Sequence, residues 1–148
     1  QDFIYYQRLK GATGTNLPFL MSIDARRADG ASDSGFGVLF RYNADTGDYY
    51  LFEVADSWGT YIVLMYKDSE WVTLQSHTDT TALRANDWNR ITIYADENSY
   101  DVYVNGAYVY SLTDYSLSAN GVGFAAEVYN AGEQANFEFD NFIYIVEQ

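Results

Sequence analysis

Apolar and polar residues alternate in short runs along almost the whole chain, and clusters of Gly, Asn, Asp and Ser break the runs about every ten residues. Alternation at period two places successive side chains on opposite faces of a strand, and no segment carries the 3.6-residue apolar stripe of a long helix. The runs predict strands at 3–9, 19–27, 36–42, 49–54, 61–66, 71–76, 89–95, 100–104, 107–112, 121–129 and 136–146. So many strands in 148 residues call for two packed layers, an all-β antiparallel sandwich. Only TTALRAND, at 80–87, suggests a helical turn, and it is too short to change the class.

The turns agree. Asn105-Gly106 separates two alternating runs and supplies the positive backbone angles of a type I′ hairpin. NADTGD, at 43–48, joins two further runs, with Gly47 suited to a left-handed conformation and Asp45 and Asp48 to turn formation. The sole proline, Pro18, precedes a strand and leaves every ladder interior intact. With neither an internal repeat nor a low-complexity linker, residues 1–148 are expected to form a single domain. A start at Gln1, without a basic start and apolar core of a leader, fits a processed chain or a piece of a larger extracellular protein.

Composition narrows the partners. Twenty-one acidic against eight basic residues give a net charge of −13, yet 15 Tyr, nine Phe and three Trp are far too many for a disordered acidic chain. The acidity therefore decorates a folded surface, which repels phosphate backbones and anionic headgroups, so nucleic acid is not expected as a partner. No apolar run of about 18 residues is present to insert into a membrane as a helix. The absence of cysteine removes disulfides and thiolate metal sites while permitting secretion.

The ordered pieces GFGVLFRYN, DYYLFEV, EWVTL, WNRITIYAD, SYDVYVNGAYV, GVGFAAEVY and FEFDNFIY, spread over residues 35–147, resemble a bacterial extracellular family of laminin-G-like, concanavalin A-like jelly rolls. Residues 1–16 depart from that pattern. The resemblance implies one convex and one concave sheet, with the concave face or its rim loops as the ligand surface.

A ligand face for sugar combines aromatic rings, which pack on the apolar side of a pyranose, with charged groups that bond its hydroxyls. Regular alternation turns Val38, Phe40, Tyr50, Phe52 and Val54 inward and leaves Arg41, Glu53, Tyr61, Glu127 and Tyr129 on one open face, with Trp58 in ADSWGT at its edge. The alternative is that these are ordinary solvent-side residues, with Arg41 and Glu53 as a cross-strand ion pair.

Catalytic residues are sparse. The single histidine, His77, has no motif tying it to a serine and reads as a solvated strand-end residue. Related glucanases carry Glu-x-Asp-x-x-Glu on one strand, whereas Glu53-Val-Ala-Asp56 has the wrong spacing and Glu138-Phe-Asp140 lacks the third acid. The chain is thus expected not to be an enzyme. Calcium is the one cofactor in view, because carboxylates and loop carbonyls are its ligands. The resemblance implies a structural ion against the last strand, with Asp140 and more weakly Asp2 as ligands.

The expected function is a non-catalytic carbohydrate-binding or adhesive module, extracellular or at the cell surface, whose partner is a glycan or polysaccharide. Two alternatives stay open. One is a spacer, sensor ectodomain or protein-interaction domain that contacts another surface protein. The other is a diverged glycoside hydrolase, which would show two carboxylates facing across a cleft.

Overall fold

The computed structural model describes residues 3–148. Its strands are β1 (Phe3–Leu9), β2 (Phe19–Gly30), β3 (Ser34–Tyr42), β4 (Tyr49–Ala55), β5 (Thr60–Lys67), β6 (Glu70–Asp79), β7 (Asn89–Asp96), β8 (Ser99–Val104), β9 (Ala107–Thr113), β10 (Gly121–Val128) and β11 (Ala135–Val146). Each predicted run is found, displaced at its ends by at most three residues. Residues 80–87 form turns, so the helical turn expected there is corrected.

The strands make two antiparallel sheets. Sheet A has the order β1-β10-β3-β4-β5-β6, and sheet B has the order β11-β2-β7-β8-β9. Neighbours remote in sequence, such as β10 beside β3 and β11 beside β2, close the sandwich through long-range pairing. The hairpin at 105–106 has the expected positive φ angles, 52° at Asn105 and 81° at Gly106.

Between the sheets lies an aromatic-rich core. Phe36, Val38 and Phe40 of β3 and Tyr50, Phe52 and Val54 of β4 face Met21, Ile23, Ile91, Ile93, Tyr100 and Val102 of sheet B. Phe40 stands at its centre, 5.2 Å from the Tyr50 ring and 5.0 Å from the Tyr100 ring. Each such ring, moved from water into the core, contributes about 1.5–3 kcal/mol.

Sheet A is apolar on its other face as well. Leu39, Tyr49, Leu51 and Ala125 are at most 1% exposed there, although no strand of sheet B lies against them. Burial to this degree on a face without a second layer requires flanking side chains to lean across it. Ile4 and Tyr6 do so from one side, Leu64 and Tyr66 from the other. The result is a trough with Leu39, Tyr49, Leu51 and Ala125 on its floor and an aliphatic and a tyrosine side chain on each wall.

Two inward–outward assignments are corrected by this architecture. Arg41, expected on the open face, is 0% exposed between the sheets. The register of β3 against β10 skips it, pairing Phe40 with Val122 and Tyr42 with Gly121. Arg41 is the extra residue of a β-bulge with φ of 51°, and a bulge reverses the facing that strict alternation predicts. Its Nε donates to the Tyr100 hydroxyl at 2.8 Å, and its other nitrogens donate to Leu17 O, Asn120 Oδ1 and Glu97 O at 2.7–2.9 Å. Tyr61 also turns inward, 6% exposed and stacked on Phe52 at 5.6 Å. It pairs with Val54, and directly opposed residues share a face, so an inward Val54 places Tyr61 in the core.

Candidate functional site

At one end of the trough, side chains from four separated segments meet. Glu53 comes from β4, Trp58 from the β4–β5 turn, His77 from β6 and Tyr129 from just beyond β10. The Trp58 ring lies 5.1 Å from that of His77 and 5.0 Å from that of Tyr129, and His77 and Tyr129 are 6.2 Å apart edge to face. The Tyr129 hydroxyl donates to Glu53 Oε2 at 2.9 Å. These two groups pass over Gly35, where a Cβ would stand 2.4 Å from the hydroxyl and 2.6 Å from the Glu53 carboxyl carbon. Only a glycine on β3 lets them meet.

The surroundings hold the cluster in place. Trp58 Nε1 donates to Asp33 Oδ1 at 3.0 Å, and Asn130 Nδ2 donates to the other oxygen of that carboxylate at 3.0 Å. His77 Nδ1 and Thr60 Oγ1 share a hydrogen bond of 2.9 Å. Beneath the Trp58 turn lies a buried ion pair, Arg27 with Asp56, whose Nε–Oδ1 and Nη2–Oδ2 distances are 3.3 and 3.4 Å. Asp56 also accepts from the Asn86 amide at 2.9 Å. Trp58 itself remains 46% exposed, presenting ring surface to solvent above this anchored base.

Burial pushes the His77 imidazole below its ordinary value, so it is neutral at pH 7 and able both to donate and to accept. Glu127 lies on the same face as Glu53, because Glu127 pairs with Gly35 and Glu53 with Gly37, the two carboxylates flanking β3. Both are buried. The ensemble presents aromatic ring surface at Trp58 with an imidazole at the rim, and the two buried carboxylates lie behind the rings.

Of the residues singled out from sequence, Glu53, Trp58 and Tyr129 are brought together, Glu127 is placed beside them, and Arg41 and Tyr61 are taken away into the core. His77, read from sequence as a solvated strand-end residue, is exposed near the end of β6 and joins them, whereas Asp33, Thr60 and Asn130 were missed. Thr60 pairs with Asp79, which returns the end of β6 to the Trp58 turn, but bulges in β6 make the exact facing of His77 illegible from its neighbours in sequence. For calcium, Asp2 lies outside the described residues. Asp140 sits at a second bulge with Oδ1 accepting from the Asn141 amide at 2.7 Å, while its cross-strand partner Asp24 is taken by Arg90 and Asn141. Among the described residues no group of three or more His, Cys, Asp or Glu side chains assembles.

No protein-family model matches the sequence, and no curated protein matches it significantly. Solved structures do. The carbohydrate binding module CBM66 from Bacillus subtilis is similar over 90% of this chain and 78% of its own, with a TM-score of 0.69 and 16% identity. Sheep galectin-11 is similar over 95% of this chain and 96% of its own, with a TM-score of 0.66 and 15% identity. A Bacillus licheniformis β-glucanase is similar over 95% and 78%, with a TM-score of 0.66 and 12% identity. At such identities the likeness is one of fold, and it makes this two-sheet sandwich a concanavalin A-like jelly roll, an architecture held in common by sugar-binding modules, lectins and glycoside hydrolases.

Proposed function

We infer that this chain is a non-catalytic carbohydrate-binding or adhesive module of a secreted or surface protein, which holds a glycan where the trough of sheet A ends at Trp58, His77, Tyr129 and Glu53. The observation that carries the reading is the convergence of an exposed, anchored Trp with two further rings and a carboxylate over Gly35. Ring faces suit the C–H side of a pyranose, and fixed acceptors suit its hydroxyls. Proteins of the same fold that are named for carbohydrate binding or as galectins support the class of ligand.

Calorimetric titration of the intact protein with neutral oligosaccharides chosen from a glycan array, with and without added calcium, tests this. Trp58→Ala is expected to weaken binding by about tenfold or more without lowering the thermal midpoint appreciably. Failure of every glycan to bind, or parent-like affinity in both Trp58→Ala and Tyr129→Phe, overturns it.

One observation favours a second reading. Glu53 and Glu127 share a face of sheet A on either side of β3, and a diverged glycoside hydrolase would work with a pair of carboxylates. Release of reducing ends from a bound polysaccharide, abolished by Glu53→Gln and by Glu127→Gln, would establish it in place of the first.

A further inference from the structure

The outer face of sheet B, on the opposite side of the sandwich, carries its own group of rings. Tyr94 pairs with Asp101 and Asp101 with Ser111, while Thr92 pairs with Tyr103 and Tyr103 with Tyr108. Cross-strand partners share a face, so these six side chains form two adjoining rows. Tyr94 and Tyr108 are 51% and 58% exposed. Tyr103 stands between them, 5.6 Å from Tyr94 with ring planes at 83°, and 5.9 Å from Tyr108 with planes at 74°. A shallow depression of about 450 Å³ lies among Thr92, Tyr94, Asp101 and Tyr103.

Core packing does not explain this arrangement. Rings left half in water add little to the stability of the sandwich, and a contiguous group of them is unlike the isolated exposure of Tyr115 in a loop. The group is also held in position. The Tyr108 hydroxyl donates to Ser111 Oγ at 2.6 Å, and Ser111 Oγ donates to Asp101 Oδ1 at 2.6 Å. A ring restrained before a ligand arrives loses less rotamer freedom on binding.

The geometry points to a second carbohydrate-binding surface, formed by Tyr94, Tyr103 and Tyr108 with Asp101, Ser111 and Thr92, which takes an uncharged pyranose chain. The rings pack against the C–H faces of successive sugars, and the carboxylate and hydroxyls bond sugar hydroxyls between them. Asp101 at its centre and a net charge of −13 disfavour anionic polysaccharides. Because it faces away from the Glu53–Trp58 site, a molecule using both surfaces would bridge two strands of a polysaccharide or hold one by avidity.

Amide spectra of the isotopically labelled protein, titrated with cellohexaose, laminarihexaose and xylohexaose and with polygalacturonate as the anionic comparator, test the proposal. At least one neutral oligosaccharide is expected to shift the Tyr94, Tyr103 and Tyr108 signals. The double variant Tyr94→Ala/Tyr108→Ala, which changes only exposed rings, is expected to keep its thermal midpoint and to raise the Kd read from the Tyr103 signal by about tenfold. In Trp58→Ala the same shifts persist. The proposal is overturned if no neutral oligosaccharide moves these signals, if the double variant leaves the Kd read from Tyr103 unchanged, or if polygalacturonate moves them equally. Shifts confined to residues around Trp58 remove this surface and leave the first site standing, while shifts confined to the three tyrosines do the reverse.

Discussion

Arg41 is the residue on which one end of the sandwich depends. Its guanidinium is fully buried and satisfied by a phenol, a side-chain amide and two backbone carbonyls, with the Phe19 and Tyr100 rings 5.1 and 5.4 Å from it. Replacing it by Met strands those acceptors away from water, and Arg41→Met is expected to lower the unfolding free energy by about 3 kcal/mol or more in chemical denaturation. Lysine restores little, because a single ammonium cannot reach acceptors spread around a planar fork. His77 titrates oppositely to an ion-paired histidine. Its folded-state value lies below the ordinary 6.5, so the folded protein binds fewer protons than the unfolded chain just below that pH. The stability it contributes is complete above 6.5 and is lost as pH falls through the folded value. Thermal melts between about pH 7 and pH 5 are expected to show a decline that His77→Gln reduces. The carboxylates act in a lower window. Asp24, held down mainly by its hydrogen bond from Arg90, and Asp114, raised by burial but lowered further by Tyr50 and Ser116, stabilise above 3.8 and cease to do so as pH falls below it.

Among the elements, the β8–β9 hairpin shows how one turn serves two purposes. Gly106 has a φ of 81° with open space where a Cβ would go, so Gly106→Ala costs about 1–2 kcal/mol through backbone strain alone. Asn105 does more. Its side chain donates to Ala82 O and Asn89 Oδ1 at 2.9 Å and accepts from the Arg90 amide at 2.9 Å, tying the 80–87 turns to β7. Asn105→Ala is expected to cost more than Gly106→Ala by about 1 kcal/mol or more, measured as the difference in denaturation midpoints at equal slope. The Asn-Gly pair announced the turn, since positive φ is a local demand. Its bonds to residues some twenty positions earlier were not announced, since nothing in the local pattern specifies which loop lies beneath. The same holds for the bulges at Arg41 and Asp140: an inserted residue is defined by the partner strand it fails to match, and that partner is remote in sequence.

For the molecule as a whole, a net charge of −13 on about 150 residues means that folding gathers like charges, only some of which are paired. Raising ionic strength is therefore expected to raise the thermal midpoint by a few degrees, until screening saturates near the scale where the Debye length falls below the spacing of surface charges. A midpoint unchanged between low and moderate salt would show that the described ion pairs, Arg26–Glu138, Arg27–Asp56 and Arg90–Asp24, already balance the repulsion. By itself the sequence determined the strand runs, the all-β class, the tight turns and the inward set of Phe and Val residues, because period-two alternation and Asn-Gly chemistry act between neighbours along the chain. Only the tertiary structure decided the order of strands in each sheet, the inward turn of Arg41 and Tyr61, and the meeting of His77 with Trp58 and Tyr129. Those depend on which strands lie side by side and in what register, and that is settled by burying two apolar faces at once, a requirement shared across the whole chain and carried by no single segment of it.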